Sequence, residues 1–67
     1  MLTITVNGEN RQVESGTSVA GLLGELGITG RRVAVERNRE IVPRATWENA
    51  AVTEGDIFEI IEFVGGG

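Results

Sequence analysis

The sequence predicts an α+β domain in which a mixed sheet of four to five strands carries one main helix on one face. Short apolar segments with the two-residue alternation of strands lie near both ends of the chain and in its middle. Between them, one segment spaces its apolar residues three and four apart, as on a single helix face. With 67 residues, 40% of them apolar, the chain is expected to form one small domain.

The first third of the chain predicts a hairpin. Apolar residues alternate with threonines over residues 1–6, which is typical of a half-buried strand. Asn7 and Gly8 follow, and both tolerate the positive φ angles of a two-residue hairpin turn. The return strand is expected at about residues 11–14, with Val13 turned inward.

A helix is predicted next, with Thr17 or Ser18 as its N-cap and Gly27 just after its last turn. Gly21 and Gly24 lie inside it, where each costs about 1 kcal/mol relative to alanine. Either the helix backbone packs closely on the sheet at these positions, or the two glycines are simply tolerated. The apolar stripe of the helix consists of Val19, Leu22, Leu23 and Leu26.

The second half of the chain predicts three more strands. Residues 33–37 form the first, Asn38 and Arg39 a tight turn, and residues 40–42 a short edge strand that Pro43 ends. A short turn or a single helical turn is expected at residues 46–51, where Trp47 either covers one end of the core or is an exposed contact residue. A turn at residues 54–56 leads into the last strand. In so short a chain this strand is best buried beside the first and parallel to it, which is the β-grasp arrangement.

The last strand carries apolar residues on both faces, although one helix can bury only one of them. Phe58 and Ile60 are expected to face the helix, since Glu59 marks the other face as solvent-exposed. Apolar residues near the end of the strand would then be exposed beside the chain end, as in many partner surfaces. The alternative is that Trp47 or the adjacent loop covers them. The expected contact residues are Glu59, Ile61 and Phe63.

The composition favours a binding or carrier module over an enzyme. Histidine, cysteine and lysine are absent, which removes the usual general base, thiolate metal sites and the commonest metal ligand and leaves carboxylates, hydroxyls and arginines for catalysis. Residues 1–44 carry six arginines and five glutamates, a net charge of +1, whereas residues 45–67 carry five carboxylates and no base, −5. Such a chain is a poor nucleic-acid binder. No stretch has membrane-spanning length, and the expected location is the cytoplasm.

Three glycines, Gly65, Gly66 and Gly67, end the sequence. We expect a β-grasp domain over residues 1–64 and a flexible glycine tail over residues 65–67. Because glycine lacks a Cβ atom, Gly65 and Gly66 can present the Gly67 carboxylate in a channel too narrow for side chains. The alternative is an ordinary frayed chain end. Without lysine or cysteine, the chain also lacks side chains that would capture an activated acyl group, although composition bias alone could produce this.

Several segments together match one known family. The most specific are Val-Ala-Val-Glu-Arg-Asn at residues 33–38 and Ile-Val-Pro-Arg at residues 41–44, followed by Trp47. The match also includes the opening strand up to residue 7, the Leu-Leu pair at residues 22–23, Glu-Gly-Asp at residues 54–56 and Val-Gly-Gly-Gly at residues 64–67. On these residues the whole chain resembles the ubiquitin-like sulfur carrier of thiamine biosynthesis. The diglycine end alone is also shared with ubiquitin and other carriers.

The resemblance implies that the chain is a protein co-substrate rather than an enzyme. In that family an activating enzyme of the ubiquitin-activating type uses ATP and Mg²⁺ to adenylate the terminal carboxylate, here that of Gly67. Sulfur from a cysteine desulfurase persulfide replaces AMP, and the resulting thiocarboxylate donates sulfur to thiazole synthase. The chain itself would bind no cofactor and no metal, since it has neither a phosphate-binding glycine loop nor a lysine.

Two alternatives remain open at the level of the sequence. The small subunit of molybdopterin synthase has the same fold, glycine end and thiocarboxylate, but a different sulfur acceptor. A non-covalent ubiquitin-like interaction module would have an inert tail. A third hypothesis, a small enzyme, is less favoured, because histidine, cysteine and lysine are missing.

Overall fold

The structure, a computed structural model, describes residues 1–63. Its elements in chain order are strand β1 (Leu2–Val6), β2 (Glu9–Val13), helix α1 (Val19–Glu25), β3 (Val33–Arg37), β4 (Glu40–Ile41), a 3₁₀ turn (Arg44–Thr46) and β5 (Ile57–Glu62). This is the predicted order of elements. The division into a domain at residues 1–64 and a glycine tail at residues 65–67 stays a prediction, because residues 64–67 lie outside the described part of the chain.

The five strands form one sheet in the order β2-β1-β5-β3-β4. Strand β5 lies at its centre, parallel to β1 and antiparallel to β3, and the two hairpin pairs flank it. The predicted placement of the last strand beside the first is therefore confirmed, as is the mixed sheet of the β-grasp arrangement. Helix α1 covers one face of this sheet, and its apolar residues share one core with those of the strands.

The first hairpin has the predicted turn, with φ angles of 49° at Asn7 and 83° at Gly8. Its return strand begins at Glu9, whereas the sequence predicted a start near residue 11 and an end at residue 14. The prediction was wrong because a two-residue turn returns the chain to pairing at once, with Val6 opposite Glu9. The polar side chains of the first β2 residues concealed this pairing, and Val13 is buried as expected.

Two other predicted boundaries also shift. The short edge strand ends at Ile41, one residue early, because the Val42 N–H still donates to the Val35 carbonyl in register but the Val42 carbonyl accepts from the Trp47 side chain and not from β3. The single helical turn starts at Arg44, directly after Pro43, and not at residue 46. Its Trp47 is buried and donates from Nε1 to the Val42 carbonyl at 2.8 Å, so it covers the core and is not an exposed contact residue.

Helix α1 has defined caps at both ends. Ser18, and not Thr17, is the N-cap, and its Oγ accepts the Gly21 N–H at 3.0 Å. At the other end Gly27 has a φ of 75°, and the Ile28 N–H donates to the Leu23 carbonyl at 2.9 Å. This is the Schellman arrangement, which satisfies the last carbonyls of the helix. Val19, Leu22 and Leu23 of the predicted stripe are buried, and Leu26 is half-buried.

The glycines inside the helix do not mark close packing on the sheet. A Cβ atom added at Gly24 would meet nothing within 4 Å, and one at Gly21 would meet only the Ser18 and Thr17 side chains, at 3.4 Å. Of the two explanations that the sequence left open, tolerance is the one that fits. The helix therefore carries a removable entropic cost at Gly24.

Asp56 is a buried carboxylate at the entrance to β5. Its oxygens accept hydrogen bonds from the Asn38 side chain at 3.1 Å, the Thr53 hydroxyl at 2.9 Å and the Thr53 N–H at 2.9 Å, with the Arg37 guanidinium 3.7 Å away. Burial by itself raises the pKa of Asp56. The Thr53 and Asn38 hydrogen bonds and the Arg37 charge outweigh it and bring the pKa below its ordinary value of 3.8.

Replacing Gly24 with alanine should stabilise the protein by about 0.5–1 kcal/mol, because the position is helical and has free space for a methyl group. Gly27→Ala is the matched control and should destabilise by about 1 kcal/mol, since its positive φ strains a residue with a Cβ atom. Urea denaturation gives both values. Equal effects of the two substitutions would contradict this account.

The lowered pKa of Asp56 predicts a pH dependence of stability. Its contribution is fully present above the ordinary, unfolded-state pKa of 3.8 and is lost as the pH falls through the lower folded-state pKa. Asp56→Asn should cost about 1–3 kcal/mol at pH 7 and flatten the loss of stability below pH 4. Urea midpoints measured from about pH 2 to 7 test this, with Glu48→Gln at an exposed position as the control. A variant D56N with the same acid profile as E48Q would refute the prediction.

Candidate functional site

The candidate site lies where β5 ends and the chain continues into residues 64–67. Gly65, Gly66 and Gly67, expected to present and carry the reactive carboxylate, lie outside the described residues. Glu59, Ile61 and Phe63, the expected partner contacts, lie within them and are all exposed.

Strand β5 directs alternate side chains to the two faces of the sheet. Phe58 and Ile60 face the helix and are 0% and 7% exposed. Ile57, Ile61 and Phe63 are 53%, 56% and 57% exposed on the other side, which we call the open face. The expectation that Ile61 and Phe63 are exposed is therefore confirmed. Trp47 does not cover them, because it is buried in the core on the helix side.

The second half of β5 is held by the side chain of a turn residue. Strand β1 ends at Val6, but the Asn7 N–H still donates to the Phe58 carbonyl at 2.9 Å. The Asn7 carboxamide then accepts the Ile60 N–H at 2.8 Å and donates to the Ile60 carbonyl at 3.1 Å. It thus replaces a peptide group of the missing neighbour strand and extends the ladder towards the chain end.

The start of β5 is held in the same manner by the turn between β3 and β4. Asn38 has a φ of 51°, and its N–H donates to the Ile57 carbonyl at 2.8 Å. Its carboxamide oxygen accepts the Ile57 N–H at 2.9 Å, and its amide group donates to Asp56. The sequence predicted both asparagines only as turn residues. Their second role depends on which strand lies beside the turn.

The last described residue, Phe63, is hydrogen-bonded to the sheet through its backbone. Phe63 lies one residue beyond β5, and its N–H donates to the Arg32 carbonyl at 2.8 Å. Just before it, Glu62 pairs with Val33 of β3. Whatever follows Phe63 therefore starts from backbone that is hydrogen-bonded to the sheet.

The open face also brings together residues that the sequence did not single out. The β3–β5 register places Glu36 directly opposite Glu59 and Ala34 opposite Ile61, while β4 places Ile41 beside Glu36. A depression of about 450 Å³ opens here, lined by Glu36, Asn38, Arg39, Ile57 and Glu59. Glu36 was missed because its position opposite Glu59 follows from the strand register and not from any local motif.

This arrangement is suited to recognition and presentation. Among residues 1–63, no group of three or more acidic, histidine or cysteine side chains is placed to hold a metal ion. The same part of the chain contains no helix that is long and apolar enough to cross a membrane. What the described residues provide is a rigid strand, an exposed apolar face beside it and a fixed exit point for the segment that follows.

Known proteins resemble this chain in both sequence and fold. A sulfur carrier protein ThiS of Bacillus subtilis is 31% identical over 65 residues, and the match covers 96% of this chain and 98% of that protein. A crystal structure of a thiamine biosynthesis protein (ThiS) from Geobacter metallireducens superposes with a TM-score of 0.79 at 33% identity, covering 98% of this chain and all of that one. The sheet, helix and β-grasp arrangement are thus those of a solved relative.

Other relatives are longer proteins. A thiazole synthase of Paramagnetospirillum magneticum is 48% identical over 66 residues, which is 98% of this chain. The chain spans only one fifth of the length of that protein and of a second thiazole synthase from Magnetococcus marinus. The sequence profile described as the ThiS family matches residues 4–67. The chain therefore belongs to the ThiS family.

Proposed function

We propose that the chain is a sulfur carrier of thiamine biosynthesis, and that the Gly67 carboxylate is the group that carries the sulfur. The observation that carries this proposal is the match, along nearly the full length of both chains, to a sulfur carrier protein ThiS. The hydrogen bond from the Phe63 N–H to the Arg32 carbonyl supports it, because the segment that leads to Gly67 then starts from backbone tied to the sheet.

The chemistry begins with a poor electrophile. A terminal carboxylate has a pKa of about 3.5, so it is ionised at neutral pH and resists nucleophilic attack. An adenylating enzyme with ATP and Mg²⁺ would convert it to an acyl adenylate and release pyrophosphate. The terminal sulfur of a persulfide, formed by a cysteine desulfurase, then attacks the acyl carbon and AMP leaves. A thiol of the donor cleaves the remaining S–S bond, which releases the thiocarboxylate and leaves the donor oxidised to a disulfide.

The role of the chain itself in this scheme is delivery. Residues 64–67 span at most about 14 Å when fully extended. An enzyme that takes Gly67 into its active site must therefore come close to Phe63, at the edge of the open face. Exposed Ile61 and Phe63 are suited to contact such an enzyme, with Glu59 beside them as a charged contact.

The partners follow from the same proposal. An adenylating enzyme of the ubiquitin-activating type would load the carboxylate, and thiazole synthase would receive the sulfur. Thiazole synthases in which a segment resembling this chain makes up one fifth of the protein support the second partner. The cofactors, ATP and Mg²⁺, would then belong to the adenylating enzyme.

The decisive experiment measures the intact mass of the protein after incubation with the adenylating enzyme, ATP and a persulfide sulfur source. Replacement of one oxygen by sulfur should add about 16 Da in a covalent carrier scheme. The variant that lacks Gly67 should fold normally and fail to donate sulfur. Thiazole formation by that deletion variant, or no mass increase in the wild-type chain, would refute the proposal. Sulfur transfer to a molybdopterin synthase large subunit but not to thiazole synthase would identify the other acceptor.

Substitutions of two adjacent isoleucines on β5, one exposed and one buried, should distinguish an effect on partner binding from an effect on stability. Ile61→Ala should weaken binding to the adenylating enzyme or to thiazole synthase while changing stability by less than about 1 kcal/mol, because Ile61 is exposed. Ile60→Ala removes the same atoms from the buried face and should cost about 2–5 kcal/mol of stability. Binding titrations and urea denaturation of both variants test this. If I61A bound both enzymes as the wild type does, Ile61 would not be a contact.

A further inference from the structure

The open face contains a pair of like charges that forms no salt bridge within residues 1–63. Glu36 and Glu59 lie directly opposite each other on β3 and β5. Like charges in this position destabilise an antiparallel sheet. Within residues 1–63 the one ion pair joins Arg37 to Asp56, so neither glutamate forms one with any described cation, including Arg39 at the rim of the same depression.

Apolar side chains surround this pair. Ile57 and Ile61 flank Glu59 along β5, two residues away on either side, and Ile41 lies opposite Glu36 on β4. All three isoleucines are more than half exposed. The open face therefore has two carboxylates at its centre and exposed isoleucines around them. This favours a partner surface with a cationic side chain surrounded by apolar residues.

The depression between the carboxylates has room for a long cationic side chain. Its volume is about 450 Å³, and both glutamates line it. Opposed residues of an antiparallel pair have Cα atoms only about 4.5–5.5 Å apart, so a single cation can reach both carboxylates. A guanidinium group, with five N–H donors in a planar fork, fits two carboxylates especially well.

We propose that the enzyme receiving the Gly67 end docks on the open face by seating an arginine or lysine side chain between Glu36 and Glu59, with apolar contacts to the surrounding isoleucines. This inference rests on the proposed function, because it takes the docking protein to be the adenylating enzyme or thiazole synthase. A second copy of this chain is disfavoured as the occupant. Two open faces packed together would bring four carboxylates to one interface.

The spacing of residues along β5 places the proposed cation-binding position between Glu36 and Glu59, here called the cation seat, close to Phe63. Glu59, Ile61 and Phe63 follow one another at two-residue intervals, and each interval spans about 6.6 Å along a strand. The seat then lies about 13 Å from Phe63, within the footprint of one protein interface of ordinary size. A partner that holds the charged pair would thus align the chain end with its own active site.

The test compares two double variants with the same net charge. Glu36→Gln with Glu59→Gln removes the proposed seat, whereas Glu9→Gln with Glu25→Gln changes exposed glutamates on the far edge strand and on the helix. Each variant is titrated calorimetrically into the purified adenylating enzyme and, separately, into thiazole synthase, at low and high NaCl. Thermal unfolding and sedimentation are measured in parallel.

We expect E36Q/E59Q to bind at least one of the two enzymes about tenfold or more weakly than the control, with a smaller salt dependence. Its unfolding midpoint should equal or exceed that of the wild type, since the repulsion is gone. Equal affinities of the two variants for both enzymes would overturn the proposal, as would wild-type self-association that E36Q/E59Q abolishes. The 16 Da mass shift is read separately on wild-type protein, so failure of the carrier function is distinguishable from failure of this docking model.

Discussion

Two asparagine side chains, one from each hairpin turn, complete the hydrogen bonding of strand β5 at the centre of the sheet, beyond its backbone pairing with β3 and β1. The Asn38 carboxamide holds the first residue of the strand, and the Asn7 carboxamide holds Ile60 after β1 has ended. Each asparagine also adopts the positive φ that its turn requires. Without them the strand would depend on two ladder positions with β1 and on its pairing with β3. The hydrogen bonding of β5 therefore determines that the Phe58 side chain faces the core and the Ile61 side chain faces solvent.

Much of the fold was predictable because it depends on local chemistry. Asn7-Gly8 predicted the first turn, the spacing of apolar residues predicted helix α1, and Glu59 correctly identified which face of β5 is exposed. The position of β5 beside β1 was predictable, but the residue-by-residue register between distant strands was not. The juxtaposition of Glu36 and Glu59 requires the β3–β5 register, which no short motif encodes.

The same limit applies to the buried polar groups. The sequence predicted Asp56 only as a turn residue. In the folded chain, Thr53, Asn38 and Arg37 all lie close to its carboxylate. The glycines of the helix show the opposite case, where a local feature suggested a tertiary contact that the structure does not contain. The family of the chain was recognisable from the sequence. Residues 33–38 and 41–44 contain a strand, a tight turn and an edge strand that ends at a proline, and this combination of residues is specific.

The pairing of Asn7 with Ile60 also has a consequence for protein synthesis. These residues are 53 positions apart, so the contact cannot form until the chain has been synthesised past residue 60. Contacts of such long sequence separation are slow to form because much of the chain must first be ordered. The open face of β5, assembled by these contacts, is therefore among the last surfaces to appear. A protein that binds this face would therefore distinguish the folded domain from chains in which β1 and β5 have not yet paired.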